Sequence, residues 1–253
     1  MCTVSWRRDG GEAGSGYRLW FNRDERHTRG AEGTPQQGTA ASGVSYLCPL
    51  DGERGGTWLA VNDCGLSVAL LNDYTTPGAS DVRPVMIERP SRGTLVRNLA
   101  GSCSLADLRR ALGDATVVGL PPFHLAGLAP GRGAASVAGW HWDGRTLHEL
   151  AGEALVPPWS SSSFRPAEVI ADRRARYAAW INLTDAEAWR YHESHDAGNG
   201  AFSVNMSRSD AATRSICGVT VSAHEVALEY RPQAWPGAPR STSGPVTFHL
   251  ARG

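Results

Sequence analysis

The sequence contains no lysine, since all 25 of its basic residues are arginine. They are balanced by 25 acidic residues, so the formal net charge is zero and no excess charge favours nucleic acid or an anionic membrane surface. No apolar run approaches the ~20 residues that a membrane span needs. The first residues lack a basic leader followed by an apolar core, so we expect no signal peptide. These absences predict a cytoplasmic protein that neither spans a membrane nor binds nucleic acid.

Cysteine is scarce, and the spacing of the cysteines excludes several kinds of site. No CxxC pair exists, so the sequence predicts neither a zinc site nor a disulfide framework, and no CxxCH motif would attach a haem. His192 and His195 lie one helical turn apart without a visible third ligand, which is more typical of a solvated helix face than of a metal site. We therefore expect no metal and no cofactor in a reduced protein. The five cysteines are odd in number and widely scattered: Cys2, Cys48, Cys64, Cys103 and Cys217.

Apolar periodicity predicts alternating groups of strands and helices within one domain over residues 1–253. Polar segments rich in Gly, Ser and Thr or Pro predict loops at 26–45 and 231–245. Strands at both ends of the chain, with helices grouped between them, suit an α+β fold of two packed sheets covered by helices. The predicted strands are 2–8, 17–22, 55–62, 65–72, 122–129, 135–142, 201–206, 214–221, 225–230 and 246–251, and the predicted helices are 91–100, 104–112, 165–181 and 183–195.

The chain begins "MCTVSW", which places a thiol directly behind the initiator methionine. Removal of Met1 would leave Cys2 as a residue that carries both a thiol and a free α-amine. An α-amine has a pKa of roughly 7.7–8.0, so it can accept the thiol proton near neutral pH without a histidine. Cys2 is therefore a candidate nucleophile, although an isolated cysteine at this position more often has no function.

Two further stretches carry polar groups at the ends of predicted strands. In "FNRDER" (21–26), Arg23 would favour a neighbouring thiolate, and Asp24 could anchor or orient an α-ammonium group. The alternative is a surface charge cluster at a strand end. Asn72 ends the apolar strand "GLSVALLN" (65–72), where its amide could donate to an oxyanion. The alternative for Asn72 is a residue that closes a turn.

Together, these stretches resemble a known family. The Met-Cys start, "NRDE" at 22–25 and "GGTWLAVNDCGLSVALLN" at 55–72 are similar to the NRDE family, also called the transport-and-Golgi-organisation family. That family resembles a branch of the N-terminal-nucleophile hydrolases, close to bile-salt hydrolases and penicillin V acylases. The resemblance covers roughly the first 75 residues, and it implies a four-layer αββα sandwich of two antiparallel sheets.

The resemblance also implies roles for particular residues. Catalytic roles are expected for Cys2 as the processed nucleophile, for Arg23 and Asp24, which the acylases space differently, and for Asn72 as the oxyanion donor. The acylases have a second Asn, and the corresponding region here reads "PPWSSSSF" (157–164), so serines would replace it. A late Arg of the acylases corresponds to Arg208 or Arg214, and the choice stays open. Substrate-binding roles are expected for Asn22, Ser161 and Ser162.

Two functions follow from this resemblance. The first is an N-terminal cysteine hydrolase that cleaves a C–N (amide) or ester bond of a small molecule through an acyl-enzyme on Cys2. The alternative is a non-catalytic protein of the same fold that handles haem or lipid, because eukaryotic family members are linked to secretory-pathway organisation and to haem or lipid handling. A fold inherited from hydrolases does not by itself establish a reaction.

Overall fold

Thirteen strands form two antiparallel sheets in the computed structural model, which describes residues 2–8, 16–76, 91–131, 133–179, 184–234 and 244–252. The first sheet has six strands in the order β10-β1-β2-β11-β12-β13. It brings the two ends of the chain together, because β2 pairs with β11 along ten registered residue pairs. The strands of this sheet are β1 (Cys2–Arg8), β2 (Tyr17–Arg26), β10 (Trp159–Ser161), β11 (Ala211–Val221), β12 (Glu225–Pro232) and β13 (Val246–Ala251).

The second sheet has seven strands, which follow one another in chain order from β3 to β9. Each neighbouring pair is antiparallel, so short connections suffice between most of them. Its strands are β3 (Gly33–Thr39), β4 (Ser45–Leu50), β5 (Leu59–Asn62), β6 (Ser67–Asn72), β7 (Phe123–Leu128), β8 (Val137–Trp142) and β9 (Leu147–Leu150).

The two sheets pack face to face over a shared apolar core, and helices cover their outer faces. Leu19, Phe21 and Leu71 are among the buried residues between the sheets. A second core, which contains Leu70 and Leu125, lies between the seven-stranded sheet and the helices α1 (Arg92–Leu99) and α2 (Leu105–Asp114). The helices α3 (Pro166–Ala178) and α4 (Asp185–Glu193) contact β10 and β2 of the other sheet. The expected four-layer αββα sandwich is therefore confirmed.

Local sequence signals explain where the helices begin. Ser104 accepts a hydrogen bond from the backbone N–H of Asp107 and so caps α2, as expected for a serine before an apolar period. Thr184 and Glu187 form a capping box at the start of α4, which satisfies two backbone donors that have no partner within the helix. Pro166 occupies the first turn of α3, where its missing N–H costs no helical hydrogen bond.

Several predicted boundaries were wrong. Residues 26–45, expected as a loop, contain the tail of β2 and the whole of β3, whose mostly exposed polar residues give no apolar alternation. Residues 201–206 were expected as a strand but form turns and bends. The strands β4, β9 and β10 were not predicted. Of the expected loop at 231–245, residues 231–232 belong to β12 and residues 235–243 lie outside the described residues, as does Met1. Residues 180–183, which include the end of one predicted helix and the start of the next, also lie outside them.

Two expectations about single side chains also need correction. Cys64 and Cys103 form a disulfide, with Cα atoms 5.2 Å apart, although their spacing indicated no pairing. His192 is fully buried rather than solvated, while His195 is exposed as expected. No helix in the described ranges has the length and apolar character that crossing a bilayer requires.

Candidate active site

Cys2 begins the strand β1 and lies between two neighbouring strands of the six-stranded sheet. Its Cα is registered with Arg23 of β2 on one side and with Ser161 of β10 on the other. The residue is buried and belongs to the core between the sheets. Its backbone nitrogen donates a hydrogen bond of 3.0 Å to the Ser161 hydroxyl oxygen. The sheet register therefore fixes both the thiol and the nitrogen of the candidate nucleophile.

The surroundings of Cys2 have opposing effects on its thiol. Burial raises the pKa of the Cys2 thiol, and the negative charge of Asp24 raises it further. The positive N-terminal charge, a hydrogen bond from the Asp24 backbone and the positive charge of Arg23 lower this pKa, but less than burial raises it. The surroundings therefore favour the protonated thiol, so a nucleophilic role requires a base close to the sulfur.

Arg23 directly faces Cys2 across the β1–β2 pair, but carboxylates surround its guanidinium group. It donates to Glu32 at 2.5 Å and to Asp51 at 2.7 Å, and it stacks over the Trp58 ring at 4.4 Å. Because these carboxylates neutralise its charge, Arg23 has little effect on the thiol. Its interactions connect β2 to residues beside β3 and β4, so they fix the distance between the two sheets next to Cys2.

Asp24 is buried on the opposite side of the strand from Arg23, because neighbouring side chains of a strand point to opposite faces. One of its carboxylate oxygens accepts a hydrogen bond of 2.6 Å from the Thr213 hydroxyl. The other lies 3.7 Å from a guanidinium nitrogen of Arg173. Asp24 therefore lies against helix α3, although its charge and its backbone still act on Cys2.

Arg173 is a member of this site that sequence reasoning missed. Its side chain is completely buried, and it donates to the Thr3 hydroxyl at 2.7 Å as well as facing Asp24. It thus contacts the residue that follows Cys2 in β1. A signal was available in the helical period of α3, because Val169 and Arg173 are four residues apart and are the buried residues of that helix.

Asn22 has all of its side-chain hydrogen-bonding groups engaged by the protein. Its amide donates to the backbone oxygens of His192 and Val204, at 2.8 and 3.0 Å. Its oxygen accepts from the His192 ring nitrogen Nδ1 at 2.5 Å, and the other ring nitrogen contacts the Ser5 hydroxyl at 2.7 Å. The residue is completely buried, so this geometry leaves no Asn22 group to contact a substrate.

Asn72 ends β6 and is half-buried. Its amide donates a hydrogen bond of 3.2 Å to the hydroxyl of Tyr74. Tyr74 and Arg92, the first residue of α1, both lie within electrostatic range of Cys2. These two residues were not predicted, because nothing in the sequence connects them to the start of the chain. Asn72 is thus connected to the surroundings of Cys2 through the Tyr74 hydroxyl.

The remaining predicted residues divide into two groups. Ser161 contacts Cys2, whereas the Ser162 hydroxyl donates to the Phe164 backbone oxygen at 2.7 Å and holds the turn after β10. Arg208 forms an ion pair of 2.6 Å with Asp210, which is exposed. Arg214 is buried in β11 and lies within electrostatic range of Glu32 and Arg23. Arg214 is therefore the late arginine that the fold brings closer to the candidate site.

Residues 1–112 match the model of the family described as Transport and Golgi organisation 2. Among solved structures, the chain is similar to a Caenorhabditis elegans ortholog of N-acylethanolamine-hydrolyzing acid amidase, with 9% identity, a TM-score of 0.53, and coverage of 86% of this chain and 92% of that chain. It is also similar to a variant of the conjugated bile acid hydrolase from Clostridium perfringens, with 10% identity, a TM-score of 0.54, and coverage of 98% and 92%. No protein with a curated description matches the sequence significantly.

These matches confirm the resemblance found in the sequence. The family model covers the Met-Cys start, the NRDE stretch and the segment that ends at Asn72. The structural matches show that almost the whole chain shares its fold with these two hydrolases. At about one residue in ten identical, they show a shared hydrolase-like fold and assign no reaction to this chain.

Proposed function

We propose that residues 1–253 form a single-domain N-terminal cysteine hydrolase, which cleaves an amide or ester bond of a small molecule through an acyl-enzyme on Cys2. The observation that carries the proposal is the hydrogen bond between the Cys2 nitrogen and the Ser161 hydroxyl. This nitrogen is a peptide amide while Met1 is attached, and it would become the α-amine once Met1 is removed. In this proposal, Ser161 would orient the catalytic base through the same hydrogen bond.

The chemistry would proceed in two steps that share this base. The α-amine takes the thiol proton, the sulfur attacks the carbonyl carbon, and the proton is returned to the leaving amine or alcohol as its bond to the carbonyl breaks. A water molecule then attacks the thioester, gives its proton to the α-amine, and releases the acid together with the restored thiol. Burial raises the pKa of the Cys2 thiol, so proton removal by the adjacent amine is essential to this mechanism.

The other residues would support this pair. We propose that Asn72 donates to the oxyanion, and that substitution of Asn72 by alanine lowers kcat by roughly 10²–10³. Asp24 would position the amine through its charge, while Arg23 would shape the pocket wall. Asn22 and Ser162 would act as positioning residues rather than substrate ligands, because their side chains bond to neighbouring protein groups.

The experiment is a hydrolysis assay on a panel of acyl amides and esters. It includes an N-acylethanolamine and a conjugated bile acid, the compounds named for the two structurally similar proteins. Wild-type protein should release product from at least one compound, and Cys2→Ala should not. Cys48→Ala is the matched control, because Cys48 is also a buried free cysteine but lies in the core beneath α1 and α2. Equal turnover by Cys2→Ala would refute the proposal.

The rival function is a non-catalytic protein that handles haem or a lipid. It is supported by the burial of Cys2 in the core between the sheets, which raises the pKa of its thiol and disfavours the reactive thiolate that hydrolysis requires. The rival predicts a stoichiometric spectral shift on titration with haemin, or saturable binding of a fatty acid, without turnover of any panel compound. Turnover that depends on Cys2 would exclude a purely carrier role.

A cytoplasmic location is part of the proposal, and the Cys64–Cys103 disulfide argues against it. Disulfides persist mainly in oxidising compartments and are rare in the cytosol. Cells would be lysed rapidly in the presence of an alkylating agent, and the alkylated thiols counted on the denatured protein. This count distinguishes a reducing from an oxidising compartment. Five reactive thiols would support a reducing compartment, whereas three would indicate that the bond exists in the cell.

A further inference from the structure

Asp73, His124 and His141 form a cluster at one edge of three adjacent strands of the seven-stranded sheet. Asp73 directly follows β6, His124 lies in β7, and His141 lies opposite it in β8. Their potential ligand atoms all lie within 4.8 Å of one another. We propose that this cluster binds a divalent transition-metal ion of the zinc class through two imidazoles and one carboxylate, and that it leaves at least one coordination position open to water or a ligand.

The donor set is suited to such an ion. Neutral imidazole nitrogens and one carboxylate oxygen bind zinc and other first-row divalent ions, and sites with three protein ligands keep a position for a further ligand. Ligand atoms 2.0–2.1 Å from a tetrahedral ion lie about 3.3 Å apart. The cluster would therefore close by small side-chain rotations from its present separation, with no change in the pairing of the strands.

The Asp73 carboxylate is held in place by residues other than the two histidines. One of its oxygens accepts hydrogen bonds from the Thr75 backbone at 2.7 Å and from the Thr75 hydroxyl at 2.6 Å. The other oxygen accepts from the Thr76 hydroxyl and lies 3.0 Å from the Nε2 atom of His141. Hydrogen bonds of this kind orient metal-binding carboxylates and histidines in proteins, so the ligands are supported by neighbouring groups.

The two imidazoles are close and available. Their rings stack with centroids 4.4 Å apart and planes at 9°, which places both on the same side of the sheet as Asp73. Within the described ranges, the His124 imidazole contacts the rings of His141 and Trp159 and makes no side-chain hydrogen bond. The His141 side chain is 23% exposed, so an ion can enter from that side. Apolar packing does not explain why two stacked histidines lie next to a buried carboxylate.

No sequence pattern indicates this cluster, because its three residues are spread over 68 positions and follow no ligand-spacing motif. Asp73 follows Asn72, so an ion here would connect the ends of three strands next to the proposed oxyanion donor. Metal binding at this cluster does not depend on hydrolysis, since it can be measured on protein that turns over no substrate.

The test uses a protein of residues 1–253 without an affinity tag, stripped of metal with a chelator. Calorimetric titration with Zn²⁺ should show one saturable equivalent, and Co²⁺ should give an absorption band characteristic of nitrogen ligation. His124→Gln and His141→Gln should each weaken Zn²⁺ binding at least about tenfold. His148→Gln is the matched control, because its exposed ring lies beside His141, with centroids 6.4 Å apart, but outside the cluster.

Circular dichroism and a melting curve show whether each variant folds. If His124→Gln does not fold, His141→Gln serves as the test, because His141 is partly exposed. Retained binding in Cys2→Ala would show that the ion is held away from the candidate nucleophile. Absence of saturable binding at millimolar Zn²⁺, unchanged binding in His141→Gln, or equal loss in His148→Gln would overturn the proposal.

Discussion

Acidification should destabilise this protein through His192, a histidine that the fold buries completely. Burial, with a smaller effect from the Arg173 charge, lowers the pKa of His192 to about 3, compared with 6.5 for an exposed histidine. Its Nδ1–H donates to Asn22, and its other ring nitrogen accepts from the Ser5 hydroxyl, which is the pattern of a neutral ring.

The sign and the size of the effect follow from this difference. The unfolded chain takes up a proton as the pH falls below 6.5, whereas the folded chain leaves His192 neutral until about pH 3. The unfolded state therefore binds more protons, and the stability is lost as the pH falls. For one extra proton bound by the unfolded state, each pH unit lowers the free energy of unfolding by about 1.4 kcal/mol. This free energy should therefore fall by about 2 kcal/mol between pH 6.5 and about pH 5.

Urea unfolding between pH 7.5 and 5 measures this loss. As the pH falls, the free energy of unfolding should decrease more steeply in the wild type than in His192→Gln, and the difference in slope should correspond to about one proton. Glutamine is chosen because it keeps polar atoms near Asn22 and Ser5. His195→Gln, an exposed histidine just after the same helix, is the control and should keep the wild-type slope. Equal slopes in the wild type and in His192→Gln would refute the reasoning, whatever the absolute stability of the variant.

Three further substitutions test how single side chains pack. Arg173→Met should lower the free energy of unfolding by about 3–5 kcal/mol, because it removes the buried cation next to Asp24; a loss below about 1 kcal/mol in urea unfolding would contradict this. Gly139→Ala should cost about 1–3 kcal/mol, because its new Cβ would lie 2.6 Å from the Trp159 ring. Gly113 lies in α2, and a Cβ added there would have no atom within 4 Å, so Gly113→Ala should raise the free energy of unfolding by about 0.5–1 kcal/mol. Effects of the same sign at both glycines would contradict the packing argument.

The parts of the fold that local signals determine could be predicted from the sequence. The caps at Ser104 and Thr184, and the apolar alternation of β1, depend on residues a few positions apart. The edge strand β3 was missed because its polar residues face solvent and its pairing with β4 supplies its structure. The three-residue strand β10 was missed for a similar reason, since it exists through its pairing with β1.

The candidate site depends on contacts between distant parts of the chain. The hairpin of β1 and β2 explains how Cys2 and Arg23 come to face each other, and the sequence indicated both residues. The position of Arg173 beside Asp24 depends on how α3 packs on the sheet. The two residues are far apart in the sequence, so no local pattern predicts their contact. The Cys64–Cys103 disulfide likewise joins residues 39 positions apart, so scattered spacing alone did not reveal it.

The central claim is that Cys2 carries the acyl group on a processed N-terminus, and mass spectrometry of the protein during turnover tests it directly. A rapidly quenched reaction with a substrate from the panel should show one acyl increment per chain. Digestion should locate this increment on a peptide that begins at Cys2, and Cys48→Ala should behave in the same way as the wild type. Turnover by protein that retains Met1, or an increment found away from Cys2, would contradict the mechanism.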